Sequence, residues 1–100
     1  MEFLRKLFGL GPKVDYKALV AEGARILDVR TEGEFDSGHA DGAVNIPLNE
    51  VHKRMPEIFK LGTPLILCCK SGVRASSAMA QIKKAGVKEV YNAGGWKNLK

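Results

Sequence analysis

Cysteine is scarce in this chain of 100 residues: there are two, Cys68 and Cys69, and they are neighbours. Adjacent strand residues point to opposite faces, and a bond between such neighbours is strained. A disulfide framework is therefore excluded, and a reducing, cytoplasmic setting is expected. Long apolar runs are also missing, since nothing approaches the roughly 18 residues that a membrane-crossing helix needs. Repeats, low-complexity tracts and blocks of like charge are absent, which removes solenoids, disordered tails and polybasic arms. No set of His, Cys, Asp and Glu has metal-ligand spacing, so neither a metal nor another cofactor is expected.

What is present is an ordinary globular composition, 45% hydrophobic and 27% charged, in a length that holds one core and one domain. The net charge of +5 favours anionic partners. Its basic residues are scattered, and the densest group, Lys83, Lys84 and Lys88, reads as a solvated helix face. A small anion, steered by the same field, is preferred to nucleic acid.

The first twelve residues read as an amphipathic extension to a domain over 13–100. Arg5 and Lys6 interrupt its apolar stretch and no small-residue cleavage site follows, so no signal peptide is expected. Phe3, Leu4, Leu7 and Phe8 fit one face of a short helix ended by Gly9, Gly11 and Pro12. Packing on its own domain is the favoured reading; docking to a partner or a membrane surface is the other.

Helical and strand patterns then alternate. Asp15 is placed to cap a helix through Glu22, with Gly23 ending it. Arg25–Val29 reads as a buried strand. Thr31 and Glu34 have capping-box spacing for a helix stopping near Gly38. Ala43–Ile46 is a second strand, closed by Pro47. Val51, Met55, Ile58 and Phe59 have helical spacing, with Pro56 expected to kink or split the helix. Pro64–Cys68 is the most apolar run and the central strand. Ala75, Ala78, Met79, Ile82 and Ala85 mark the inner face of a helix ended by Gly86. Glu89–Tyr91 is a last strand, and Gly94-Gly95-Trp96 opens a final turn or helix. Such alternation gives an α/β fold, a parallel sheet covered on both faces, with ligands beyond the carboxyl ends of its strands.

At one such end lies Cys69-Lys70-Ser71-Gly72-Val73-Arg74, between the strongest strand and the strongest helix. A loop this short turns sharply, and Gly72 permits torsions that other residues resist. Its amides would converge on the Cys69 sulfur as an anion-binding nest at a helix N-terminus. Free cysteine has a pKa of about 8.5, which such surroundings lower to roughly 3.5–7.5. Lys70 and Arg74 add positive charge. Cys68, one face over, reads as a small core hydrophobe.

Cys69–Arg74 resembles the active-site loop of single-domain rhodaneses, the sulfurtransferases. Asp28-Val29-Arg30, Glu34-Phe35, Gly38-His39, Gly42-Ala43 and Asn45-Ile46-Pro47 are similar to that family's N-terminal signature, and Gly94-Gly95-Trp96 to its C-terminal one. The resemblance implies a five-stranded, mainly parallel sheet flanked by helices, with Cys69 opening the catalytic loop. It also implies two half-reactions: Cys69 takes a sulfur from an anionic donor such as thiosulfate, then yields it to cyanide, a thiol or a protein acceptor. Lys70, Ser71, Gly72, Val73 and Arg74 would bind substrate, with Arg74 supporting the loop or touching the anion. Asp28 and Arg30 would form a buried pair that orients the loop. Glu34 is expected to cap, His39 to hold a structural hydrogen bond and His52 to lie at the surface.

Cysteine phosphatases and arsenate reductases resemble one another in placing five residues between Cys and Arg. Here Lys70, Ser71, Gly72 and Val73 intervene, a smaller cup suited to one sulfur atom, and no Asp is placed as general acid. A non-catalytic binding module typically lacks the cysteine, which is present here. A persulfide carrier serving a partner shares the first half-reaction and differs only in its acceptor.

Overall fold

The computed structural model describes residues 14–100; the amphipathic reading of Phe3–Phe8 lies outside the described residues. Asp15 accepts a hydrogen bond from the Ala18 amide (3.0 Å) and opens α1, Tyr16–Ala21. The side-chain acceptor satisfies an amide that the first helical turn leaves unpaired. Then follow β1 (Arg25–Asp28), α2 (Glu32–Asp36), β2 (Val44–Asn45), a 3-10 turn (Leu48–Glu50), α3 (Met55–Leu61), β3 (Leu65–Cys69), α4 (Val73–Lys84), β4 (Val90–Gly95) and a closing 3-10 turn (Trp96–Leu99).

Among the described residues the sheet has four strands in the order β2-β1-β3-β4, every pair parallel. It does not have the five implied by the resemblance: four strand-like segments lie between residues 14 and 100, and each forms one strand. Pro47 ends β2 after two residues, and the chain beyond it winds into 3-10 turns instead of extending. Pro56 begins α3 rather than kinking a longer helix, because the first turn needs no amide there. On α3, Ile58 is buried and Phe59 is half exposed. β4 runs on through Gly94 and Gly95, which belong to the strand and not to a final turn.

Every residue of β3 is buried, as expected for a central strand covered on both faces. Leu65, Leu67 and Cys69 join Ala75, Ala78 and Ile82 of α4 in one core, with Leu27, Val29, Ile46, Val51 and Ile58. Met79 lines that core in part, whereas Ala85 caps α4 and stays exposed. Ile66 and Cys68 face the other layer, with Ala24, Ile26, Ala40 and Ala93 and, around them, Tyr16, Leu19 and Trp96. The order in which strands are added reverses between β1 and β3, since β2 lies on one side of that pair and β4 on the other, with all strands parallel. That switch opens a crevice at the carboxyl ends, where Asp28 lies level with Cys68.

Candidate functional site

Cys69 ends β3, and the chain turns at once into α4. The turn is made by Gly72, whose φ of +101° lies in the left-handed region that favours glycine. In this conformation the Gly72 N–H donates to Cys69 Sγ at 2.9 Å, and the Ala75 N–H reaches it at 3.4 Å. Burial, the largest single influence, pushes the Cys69 pKa up; the amides of Ala75, Ser71, Gly72 and Arg74 together outweigh it and bring it below the ordinary thiol value. The start of α4 adds its dipole in the same sense. The outcome is a thiolate-favouring cup in an otherwise apolar core.

Cys68 is the contrasting thiol. It is fully buried, and burial first, then the nearby Asp28 charge, push it up to about 12. Both cysteines are free.

Of the other loop residues, Lys70 and Ser71 are exposed, and Val73 is 76% exposed. Arg74 is drawn toward α2: its two Nη atoms donate to Glu34 Oε1 (2.6 Å) and Oε2 (3.0 Å). Glu34 also completes the capping box with Thr31, so it does more than cap. The Arg74 bonds first, then the Thr31 amide, hold the Glu34 carboxyl at about 2. An open depression of about 640 Å³ borders the loop, with Ser71, Ser76, Asn92 and Gly94 among its walls. A second, of about 460 Å³, lies between Thr31, Leu48, His52, Arg74 and Gln81, which places the exposed His52 at its rim.

Asp28 and Arg30 do form a buried pair. Arg30 Nε lies 2.9 and 3.0 Å from the two carboxylate oxygens, and Nη2 lies 2.7 Å from Oδ2. Nη1 donates to the Glu34 carbonyl (3.1 Å) and Nη2 also to the Gly38 carbonyl (2.7 Å), while Trp96 lies over the group at 4.7 Å. With each guanidinium nitrogen hydrogen-bonded, the pair is satisfied despite burial. Asn45 ties in the carbonyls of Asp28 and Arg30. The pair therefore binds β1, α2 and the closing turn together on the Cys68 side of the sheet; it does not touch the Cys69 loop directly. His39 bonds the Phe35 carbonyl through Nδ1 (2.8 Å) and stacks on the Phe35 ring.

Sequence reasoning passed over Asn92. Its Nδ2 donates to the Gly72 carbonyl (3.0 Å), and its Oδ1 accepts from the Gly94 amide (2.8 Å). The signal available was an Asn two residues before a Gly, the spacing of an Asx-turn. The Gly-Gly pair has its own steric reason: a Cβ on Gly95 would stand 2.8 Å from the Lys70 carbonyl oxygen.

Comparison with known proteins is consistent with this geometry. The Rhodanese-like domain family matches residues 13–100. The putative sulfur carrier protein YrkF of Bacillus subtilis (strain 168) is 41% identical over 71 residues, 71% of this chain and 38% of that one. Thiosulfate sulfurtransferase 18 of Arabidopsis thaliana is 37% identical over 92 residues, 79% of this chain and 68% of that one. Another Bacillus subtilis relative, also 41% identical, is spanned over 59% of its length, so the chain covers less than two thirds of either bacterial relative. Among solved structures, a rhodanese with anions from E. coli superposes with a TM-score of 0.69 at 30% identity, covering 75% of this chain and 89% of that one.

Proposed function

From the premise that this chain belongs to the rhodanese-like domain family, we infer that Cys69 carries sulfane sulfur between an anionic donor such as thiosulfate and a thiophilic acceptor. The observation that supports this most is the convergence of the loop amides on one thiol, with Gly72 N–H at 2.9 Å. A preformed anion site of this kind stabilises the thiolate before reaction and the terminal sulfur after it.

In the first half-reaction the Cys69 thiolate attacks the outer sulfur of thiosulfate. A Cys69–S bond forms, the S–S bond of the donor breaks, and sulfite leaves with the bonding pair. The product is a persulfide whose terminal sulfur bears the negative charge in the amide cup. In the second, cyanide or a thiolate attacks that terminal sulfur, giving thiocyanate or an organic persulfide and restoring the Cys69 thiolate. The loop amides, which lower the Cys69 pKa, favour the thiolate and so take the place of a general base. In this scheme Arg74, held by Glu34, fixes the start of α4, while Lys70 contributes positive potential at the exposed mouth. Two free cysteines on opposite strand faces fit a reducing, cytoplasmic setting.

A protein acceptor is the second reading, favoured by the 41% identity to a putative sulfur carrier. The two readings separate in steady-state kinetics. Free turnover predicts parallel-line, ping-pong patterns with thiosulfate and cyanide. A carrier would be loaded by thiosulfate as fast, yet release sulfur only slowly to small thiophiles. Failure of thiosulfate to load the protein at all would refute thiosulfate as donor in both.

A further inference from the structure

Gly72 is required for the turn, but glycine populates right- and left-handed torsions about equally. Its left-handed geometry, and with it the N–H aimed at Cys69, needs a restraint from outside the loop. β4 supplies one. The Gly72 carbonyl accepts from Asn92 Nδ2 (3.0 Å) as well as from the Ser76 amide of α4 (2.9 Å). The Asn92 amide is itself oriented, since Oδ1 holds the Gly94 N–H at 2.8 Å. Its backbone is tied from α1, where Tyr16 Oη donates to the Asn92 carbonyl (3.4 Å). The strand presses close at the same point: a Cβ on Gly72 would lie 3.1 Å from Gly94 Cα.

We propose that Asn92 is a positioning residue of the sulfur site, bridging the Gly72 carbonyl to the Gly94 amide so that the Gly72 N–H stays on the Cys69 sulfur. Asn92 acts through the loop and makes no hydrogen bond to the sulfur. The bridge needs a donor at one end and an acceptor at the other, which an amide side chain of this length provides. The inference rests on the reading of Cys69 as the sulfur-bearing thiolate. The charged and titratable groups around Cys69 are Lys70 and Arg74 on the loop and α4, Glu34 on α2, Asp28 on β1 and Cys68 on its own strand. None of these bonds the Asn92 side chain among the described residues.

The test is an ultraviolet thiolate titration of the whole protein. Cys68, pushed up to about 12, stays outside the working range. Asn92→Ser keeps a hydroxyl acceptor for Gly94 and loses only the reach to Gly72; Asn92→Leu loses both ends at similar volume. Each is expected to raise the Cys69 titration by about half to one pH unit. Sulfur loading from thiosulfate should slow about threefold to tenfold. Asn98→Ala, which removes a comparable bond to the Ala93 carbonyl (2.8 Å), should leave the titration unchanged. Should Asn92→Leu not fold, Asn92→Ser decides alone. A parent-like titration in the Asn92 variants overturns the proposal, whether or not loading occurs. Shifted titrations in a protein that thiosulfate never loads would leave Asn92 in its role and refute the sulfur-transfer reading instead.

Discussion

Cys68 and Cys69 share a strand and a peptide bond, and both are almost wholly buried, at 0% and 1% exposure. Their chemistry diverges because the pleat turns them to opposite faces. Cys68 looks into an apolar layer beside a carboxylate and holds its proton to about 12. Cys69 looks into the amides at the start of α4, and four of them outweigh a desolvation penalty that acts on it as well. Burial alone therefore does not decide whether a thiol is inert. The direction of a few fixed backbone dipoles does, and one residue of strand register is enough to exchange the two outcomes.

The largest expected effect breaks the comparison outright. Cys69→Ser should abolish persulfide formation and thiosulfate turnover, whereas Cys68→Ala should retain most of both, with turnover assays as the measure. Next comes the anchor on the Cys68 side. Arg30→Met leaves Asp28 charged and unpaired in the interior, which costs about 3–5 kcal/mol in urea unfolding. On the Cys69 side, Gly95→Ala sets a methyl 2.8 Å from the Lys70 carbonyl oxygen. Backbone must move, so a loss of about 1–3 kcal/mol is expected, with slower sulfur loading as the loop shifts.

The smallest effect sharpens the comparison through Arg74. Its partner Glu34 has a folded carboxyl pKa of about 2 against an ordinary 4.5. A depressed carboxylate stabilises the fold fully above the unfolded value and loses that contribution as pH falls from about 4.5 toward 2. Both side chains are about a third exposed, so solvent screening keeps the contribution to no more than about 1 kcal/mol. Unfolding curves over that interval should show the parent losing more stability with falling pH than Glu34→Gln.

The parts of this site that were legible in the sequence are local. The Asp15 cap and the Thr31–Glu34 capping box span three residues each, and both form as spaced. The Cys69–Arg74 loop could be read because a strand, a glycine and an amphipathic helix follow one another within a short stretch. What escaped notice is carried by pairs far apart in the chain. Arg74 and Glu34 are 40 positions apart, and Asn92 is 20 from the Gly72 carbonyl it holds. No periodicity encodes such meetings; they exist only once β1, β3 and β4 lie side by side. Pro56 misled for a different reason, since the same residue that breaks a helix interior is favoured in a first turn.

The most direct measurement is to incubate the protein with thiosulfate at neutral pH and locate any added sulfur by peptide mass spectrometry. One extra sulfur atom on Cys69, with none in Cys69→Ser, is the predicted result. Sulfur found on Cys68, or gained equally by Cys69→Ser, would contradict the account.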